Sequence, residues 1–127
     1  PVTFLGILVD GFPNYMMVMG PHAGLGNFPR AVEFTADWVA ELIGHANNNS
    51  LTRIDATPAA AKEWTDHVIE MNDGLLFTDV DSWMTGINRN VEGKDVRRVM
   101  RYSGGHLAFR RRCEEVTQGG YQELTLD

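Results

Sequence analysis

The chain has 127 residues, which corresponds to one domain at most. Hydrophobic residues make up 43% and charged residues 22%, so the composition excludes a disordered or fibrous protein. The net charge of −6 argues against general affinity for nucleic acid or anionic membranes, and no apolar run approaches the roughly 18 residues that cross a bilayer. A single cysteine and no visible secretory signal before Pro1 lead us to expect a cytoplasmic protein.

The first third of the chain predicts strands, a glycine loop and a helix. Residues 5–9 and 15–19 are apolar runs bounded by turn residues, and each predicts a strand, the second one central and buried. Residues 20–29, the glycine loop, hold three glycines and two prolines. A helix follows, with Asn27 as its N-cap, Gly44 near its end and this apolar stripe: Phe28, Val32, Ala36, Val39 and Ile43. Backbone N–H groups and a helix N-terminus would meet at the loop and could hold an electron-rich group, although an ordinary connection is an equal alternative.

The remainder of the chain predicts two more helices around a long irregular segment. Residues 45–50 read as an exposed connection and as the best boundary, between parts 1–46 and 47–127. Thr57 caps a helix that begins at Pro58 and buries Trp64, Val68, Met71 and Leu75. Residues 77–95 form a functional or mobile loop. Residues 96–102 predict a strand, residues 121–126 a short final strand, and between them lies a helix that buries these side chains: Phe109, Cys113 and Val116.

The candidate chemical groups are few. No complete dinucleotide, phosphate-loop, nucleophile-elbow or zinc motif occurs, and the four histidines lack metal-ligand spacing. Cys113 reads as a buried structural thiol. Six arginines between Arg97 and Arg112 are either a solvated face or a site for an anion such as a nucleotide phosphate. Trp83 either fills the core or closes over a ligand.

Several short motifs follow one another along the chain: Gly11-Phe12-Pro13-Asn14, Gly20-Pro21-His22, Asn27-Phe28-Pro29 with Glu33, Ala56-Thr57-Pro58 with Trp64 and His67, Asp81-Ser82-Trp83 with Gly86, and Tyr102-Ser103-Gly104-Gly105. Taken in this order, they resemble the C-terminal part of flavin-dependent Baeyer–Villiger monooxygenases, such as cyclohexanone, phenylacetone and hydroxyacetophenone monooxygenases. The likeness covers nearly the whole chain, whereas the two dinucleotide-binding glycine motifs that this family carries upstream are absent.

The resemblance implies an α/β fold in which residues 1–46 end a Rossmann-like FAD-binding domain and residues 47–127 form a helical, loop-rich segment with a mobile tryptophan loop at about 78–95. It implies FAD and NADP as cofactors, and a ketone and O2 as substrates. No catalytic residue and no metal is expected in this segment. The residues that would contact the cofactors are Gly20, Pro21, His22, Asn27, Phe28 and Trp83. Those that would border the ketone pocket are Leu25, Gly26 and Met100.

The resemblance therefore predicts a segment of a monooxygenase that inserts oxygen into ketones to give esters or lactones. Such a segment would be inactive without the N-terminal FAD- and NADP-binding part of the same enzyme. One alternative is a freestanding α/β module that binds a ligand or partner without redox chemistry, and another is a purely structural fragment used for assembly. None of these interpretations gives the ketone, the regiochemistry, the oligomeric state or a role for the arginine cluster.

Overall fold

The computed structural model describes residues 1–24 and 26–127. Within them, three α-helices pack around one core: α1 (Phe28–Asn48), α2 (Pro58–Met71) and α3 (His106–Gln118). Strands β1 (Ile54–Ala56) and β2 (Leu124–Leu126) pair antiparallel, with Ile54 opposite Leu126 and Ala56 opposite Leu124. The predicted α/β class is confirmed as a small, helix-rich fragment, while its Rossmann-like character stays a prediction.

The predicted helix starts are confirmed. The Asn27 side chain accepts a hydrogen bond from the Arg30 N–H at 3.2 Å, and the Thr57 hydroxyl accepts one from the Ala60 N–H at 3.2 Å. These side chains satisfy N–H groups that have no partner inside the helix. The predicted end of α1 is wrong, because the helix continues through Gly44 to Asn48 and buries Ala46.

The predicted face of α1 is also wrong. The buried residues are Ala31, Thr35, Trp38, Leu42 and Ala46, whereas Phe28, Val32 and Ile43 of the predicted stripe are 56%, 40% and 42% exposed. Trp38 Nε1 donates to the Cys113 carbonyl at 3.1 Å and to Thr117 Oγ1 at 3.0 Å, and this anchors α1 against α3. Both stripes are apolar enough to face a core, so the packing partner selects one of them.

The strand predicted at residues 5–9 is a tight turn. Leu5 and Gly6 have φ of 57° and 65°, and the Phe4 N–H donates to the Leu8 carbonyl at 2.8 Å. Left-handed backbone at two successive residues reverses the chain and cannot continue a strand. The turn still buries Phe4, Leu5, Ile7 and Leu8, so the apolar run belongs to the core in a different conformation.

The strands predicted at residues 15–19 and 96–102 are also absent. In the first segment, one antiparallel bridge joins Met16 to Leu8, and Tyr15 and Val18 are about half exposed. In the second, one parallel bridge joins Tyr102 to Gly24. A central strand needs a ladder on both sides, and neither segment has one among the described residues.

The other predicted elements are largely confirmed. Trp64 and Val68 of α2 are buried, as are Phe109, Cys113 and Val116 of α3, but Met71 is 39% exposed. Residues 77–95 are irregular apart from two 3-10 turns, Leu76–Asp79 and Trp83–Thr85. No helix in the described part of the chain is long and apolar enough to span a bilayer.

Candidate functional site

A groove of about 260 Å³ lies where the glycine loop, the start of α1, the Trp83 turn and the segment before Tyr102 meet. Five residues predicted from separate parts of the sequence line it: Gly20, Pro21, Phe28, Trp83 and Met100. Four more complete the lining: Met19, Ala23, Met84 and Arg101. The groove is therefore mainly apolar, which suits a planar or aliphatic ligand.

Trp83 stands at the rim of this groove, with 78% of its surface exposed. The interpretation in which it fills the core is therefore wrong. Its 3-10 turn is held from within, because the Thr85 hydroxyl donates to the Val80 carbonyl at 2.9 Å and accepts from the Ser82 N–H at 3.1 Å. A turn fixed by hydrogen bonds, with an exposed indole, can place that ring over a ligand. Closure of Trp83 over a cofactor stays a prediction.

Asp81 ties the Trp83 turn to the rest of its loop. Its carboxylate accepts hydrogen bonds from Arg97 Nε at 2.7 Å and from Arg89 at 2.8 Å. Hydrogen bonds from Arg97 and then Arg89 hold the pKa of this carboxyl below its usual value. The ion pairs are exposed, so they orient the loop while adding little stability.

The two walls of the groove are joined by backbone hydrogen bonds. The His22 N–H donates to the Met100 carbonyl at 3.1 Å, and the Tyr102 N–H donates to the Ala23 carbonyl at 3.3 Å. The His22 side chain itself is only 1% exposed and faces the interior. Burial lowers its pKa, although a hydrogen bond with the Val99 carbonyl acts in the opposite direction.

Close packing already requires two glycines of the loop. A Cβ atom on Gly20 would lie 2.6 Å from the Gly6 carbonyl oxygen, and one on Gly24 would lie 2.5 Å from Phe109 Cγ. Both distances are far below van der Waals contact. The glycine content of the loop therefore has a cause within the chain and does not by itself indicate a ligand.

Four predicted site residues are outside the groove lining or outside the described residues, and one of them is His22, whose side chain is buried. Gly26 is exposed, and a Cβ atom there would lie 3.5 Å from His106 Cβ. Asn27 acts as the cap of α1. Leu25 lies outside the described residues. The groove therefore brings together only part of the predicted set of site residues.

The arginine cluster does not form a single patch. Arg97 pairs with Asp81, and Arg112 pairs with Glu123 at 3.0 Å. Arg101 lines the groove, and its guanidinium carbon lies 4.1 Å from the centroid of the Phe77 ring. The sequence analysis included Arg101 only as a member of the arginine cluster and did not select Met84, although each is the neighbour of a predicted site residue.

Cys113 and the candidate metal ligands do not form a reactive site in the part of the chain that the structure describes. Cys113 is fully buried, and this burial raises the pKa of its thiol to about 12. A thiol that stays protonated is a poor nucleophile, so the interpretation as a structural thiol is confirmed. Among residues 1–24 and 26–127, no three His, Cys, Asp or Glu side chains converge on a metal position.

The chain is similar over its whole length to Baeyer–Villiger and related flavin monooxygenases, with relatives at 29–36% identity. A phenazine N-monooxygenase from Lysobacter antibioticus is 36% identical over 126 residues, which are 99% of this chain and 23% of that protein. No protein-family model matches the sequence.

Solved structures agree with these relatives. Cyclohexanone monooxygenase from Rhodococcus sp. Phi1 bound to NADP+ superposes with a TM-score of 0.92 at 33% identity, covering 100% of this chain and 23% of that one. OTEMO in complex with FAD and NADP gives a TM-score of 0.88 at 29% identity, again with 100% and 23% covered. The predicted resemblance is thus confirmed, and the chain spans about 23% of the length of its relatives.

Proposed function

We propose that this chain is a segment of an FAD- and NADPH-dependent monooxygenase that inserts an oxygen atom into ketones to give esters or lactones, and that it is inactive by itself. The observation that carries the proposal is the groove, because it unites five residues that sequence reasoning selected from distant parts of the chain. Related structures that hold NADP and FAD support the choice of cofactors.

The groove fits one side of a planar ring. Its volume of about 260 Å³ is somewhat below that of complete ligand sites, roughly 300–1,000 Å³. Phe28 and Trp83 offer large exposed aromatic surfaces at its edge. A half-site of this size and composition would cover part of a bound ring, and the rest of the polypeptide would supply the other part.

Individual residues of the chain would then have distinct tasks. Gly20, Pro21 and Phe28 would contact the flavin ring, and Trp83 would cover NADP. Leu25, Gly26 and Met100 would border the ketone. The N-terminus of α1, capped by Asn27 and without acidic residues in its first turn, would stabilise negative charge nearby. The apolar lining would exclude water. When bound, the reduced flavin would supply the chemistry that activates O2.

A second candidate reaction is oxygen transfer to a ring nitrogen. The observation that favours it is the 36% identity to a phenazine N-monooxygenase. The freestanding module is less well supported, because much apolar surface is left exposed: Phe12 is 62% exposed, Leu76 88% and Leu107 78%. A protein that works alone rarely exposes so many large apolar side chains.

The test is to purify the polypeptide that carries this sequence and to measure its flavin content by absorbance. Consumption of NADPH is then followed with cyclohexanone and, separately, with phenazine, and products are identified by mass spectrometry. We expect bound FAD, and an ester or lactone from at least one ketone in a panel that includes cyclohexanone. An N-oxide with no ester or lactone would support the second candidate, and a protein without flavin or substrate-dependent NADPH consumption would refute both.

A further inference from the structure

His22 contacts two other segments of the chain from inside the protein. Its Nε2 atom lies 3.0 Å from the Val99 carbonyl oxygen, and its Nδ1 atom lies 3.3 Å from the Thr3 hydroxyl oxygen. The Thr3 hydroxyl also donates to the Pro21 carbonyl at 3.1 Å. Pro21 lines the groove, and Val99 directly precedes the groove residue Met100.

The partners determine the form of the imidazole. A carbonyl oxygen only accepts, so Nε2 must carry the proton that is donated to Val99. Burial favours the neutral ring, which leaves Nδ1 as an acceptor for the Thr3 hydroxyl. That hydroxyl has one hydrogen for two acceptors, Nδ1 and the Pro21 carbonyl. In either arrangement the ring and the hydroxyl tie the glycine loop to the rest of the molecule.

We propose that His22 is a positioning residue that holds the two walls of the groove, Gly20–Pro21 and Val99–Met100, at the separation needed to bind a planar ligand. It acts from behind the walls and touches no ligand itself. Its effect on catalysis rests on the proposed function, whereas its effect on the geometry of the walls does not.

The backbone alone holds these walls weakly. The two hydrogen bonds between them measure 3.1 Å and 3.3 Å, and the pairing is an isolated bridge rather than a ladder. His22 also has a φ of 71°, a conformation that is costly for a residue with a Cβ atom. Loss of the imidazole would leave the Val99 carbonyl without its side-chain donor and favour opening of the bridge.

The test compares His22→Leu with His22→Gln in the polypeptide that carries this sequence. Both replacements are unbranched at Cβ and face the same backbone cost, but only glutamine keeps an N–H donor that can reach Val99. Amide hydrogen exchange is read by mass spectrometry in peptides covering residues 20–24, 99–102 and 109–116. His45→Leu, at a half-buried position on α1 outside the measured peptides, is the matched control.

We expect His22→Leu to accelerate exchange in 20–24 and 99–102 about tenfold, as expected for loss of one buried hydrogen bond. Exchange in 109–116 should be unchanged, and His22→Gln should restore most of the protection. In the flavin-loaded enzyme, His22→Leu should raise KM for cyclohexanone several-fold with a smaller effect on kcat. Unchanged exchange in both wall segments, or equal acceleration in 109–116, would overturn the proposal.

A milder variant covers the case in which His22→Leu does not fold. Thr3→Val removes the hydroxyl but keeps the shape of the side chain, and it should accelerate exchange in 20–24 by a smaller factor. If His22→Gln accelerates exchange in both wall segments and Thr3→Val leaves exchange in 20–24 unchanged, His22 does not position the walls. A wild-type protein without flavin or oxygenation would refute the proposed function, while the exchange experiment would still decide the role of His22.

Discussion

Among single residues, His22 links stability to pH. Burial lowers its pKa, so the folded chain binds fewer protons than the unfolded chain at mildly acidic pH. Its contribution to stability is therefore complete above the ordinary histidine pKa of about 6.5 and decreases as the pH falls through that value.

We expect the midpoint of urea unfolding to decrease when the pH is lowered from 7.5 to 5.5. His22→Gln cannot titrate at this position and should make the midpoint less dependent on pH. The His67→Gln variant is the control, because His67 is exposed. A midpoint that falls equally in the wild type and in His22→Gln would assign the effect to other groups.

Trp83 can be changed with little effect on folding, because 78% of its surface is exposed. In the complete polypeptide, we expect Trp83→Ala to lower NADPH-dependent oxygenation at least about tenfold, as loss of a closing residue commonly does. Flavin content should stay near that of the wild type. Absorbance at the flavin bands measures the flavin content, and the product formed per NADPH consumed measures oxygenation. Equal loss of flavin and oxygenation would contradict a role in closure.

At the scale of elements, the rotation of α1 decides which apolar residues stabilise the chain. Leu42 is fully buried, whereas its neighbour Ile43 is 42% exposed. Leu42→Ala should lower the free energy of unfolding by about 2–5 kcal/mol, and Ile43→Ala should change it by less than about 0.5–1 kcal/mol. Urea denaturation of the two variants measures the difference, and a larger effect at Ile43 would mean that the helix presents the predicted stripe to the core.

Two glycines, one in the glycine loop and one in α1, offer a second matched pair. Gly24→Ala would drive a methyl group into the Phe109 ring, and we expect a loss of about 1–3 kcal/mol. Gly44→Ala lies in α1 with open space around it and should add about 0.5–1 kcal/mol through helix propensity. Thermal unfolding of both variants checks the signs; a neutral Gly24→Ala would show that the loop can yield, and that Gly24 is not required by packing.

At the scale of the whole molecule, the exposed apolar surface separates a segment from a complete protein. We expect the 127 residues alone to bind no stoichiometric FAD, since the glycine motif that holds the pyrophosphate is absent from the sequence. We also expect self-association, because side chains such as Phe12 and Leu107 are exposed. Flavin absorbance and light scattering measure the two properties, and a yellow monomer would contradict the proposed function.

Several features could be predicted from the sequence because they depend on local chemistry. Asn27 and Thr57 start helices because a short polar side chain can satisfy free N–H groups only at such a position. The buried face of α3 followed from the spacing of Phe109, Cys113 and Val116, since the opposite face is charged. The motifs of the family resemblance located five groove residues without any knowledge of contacts.

Tertiary structure decided between alternatives that local sequence patterns support equally well. Residues 5–9 are as apolar as a strand, but the left-handed Leu5 and Gly6 make them a turn under the glycine loop. The predicted apolar stripe of α1 is not the buried one. A different stripe is buried, because the Trp38 indole N–H donates to hydrogen-bond partners on α3. His22 was selected as a cofactor contact, yet its ring lies behind the groove wall. Hydrophobic periodicity reports which side chains can be buried, and only the positions of the surrounding segments determine which of them are.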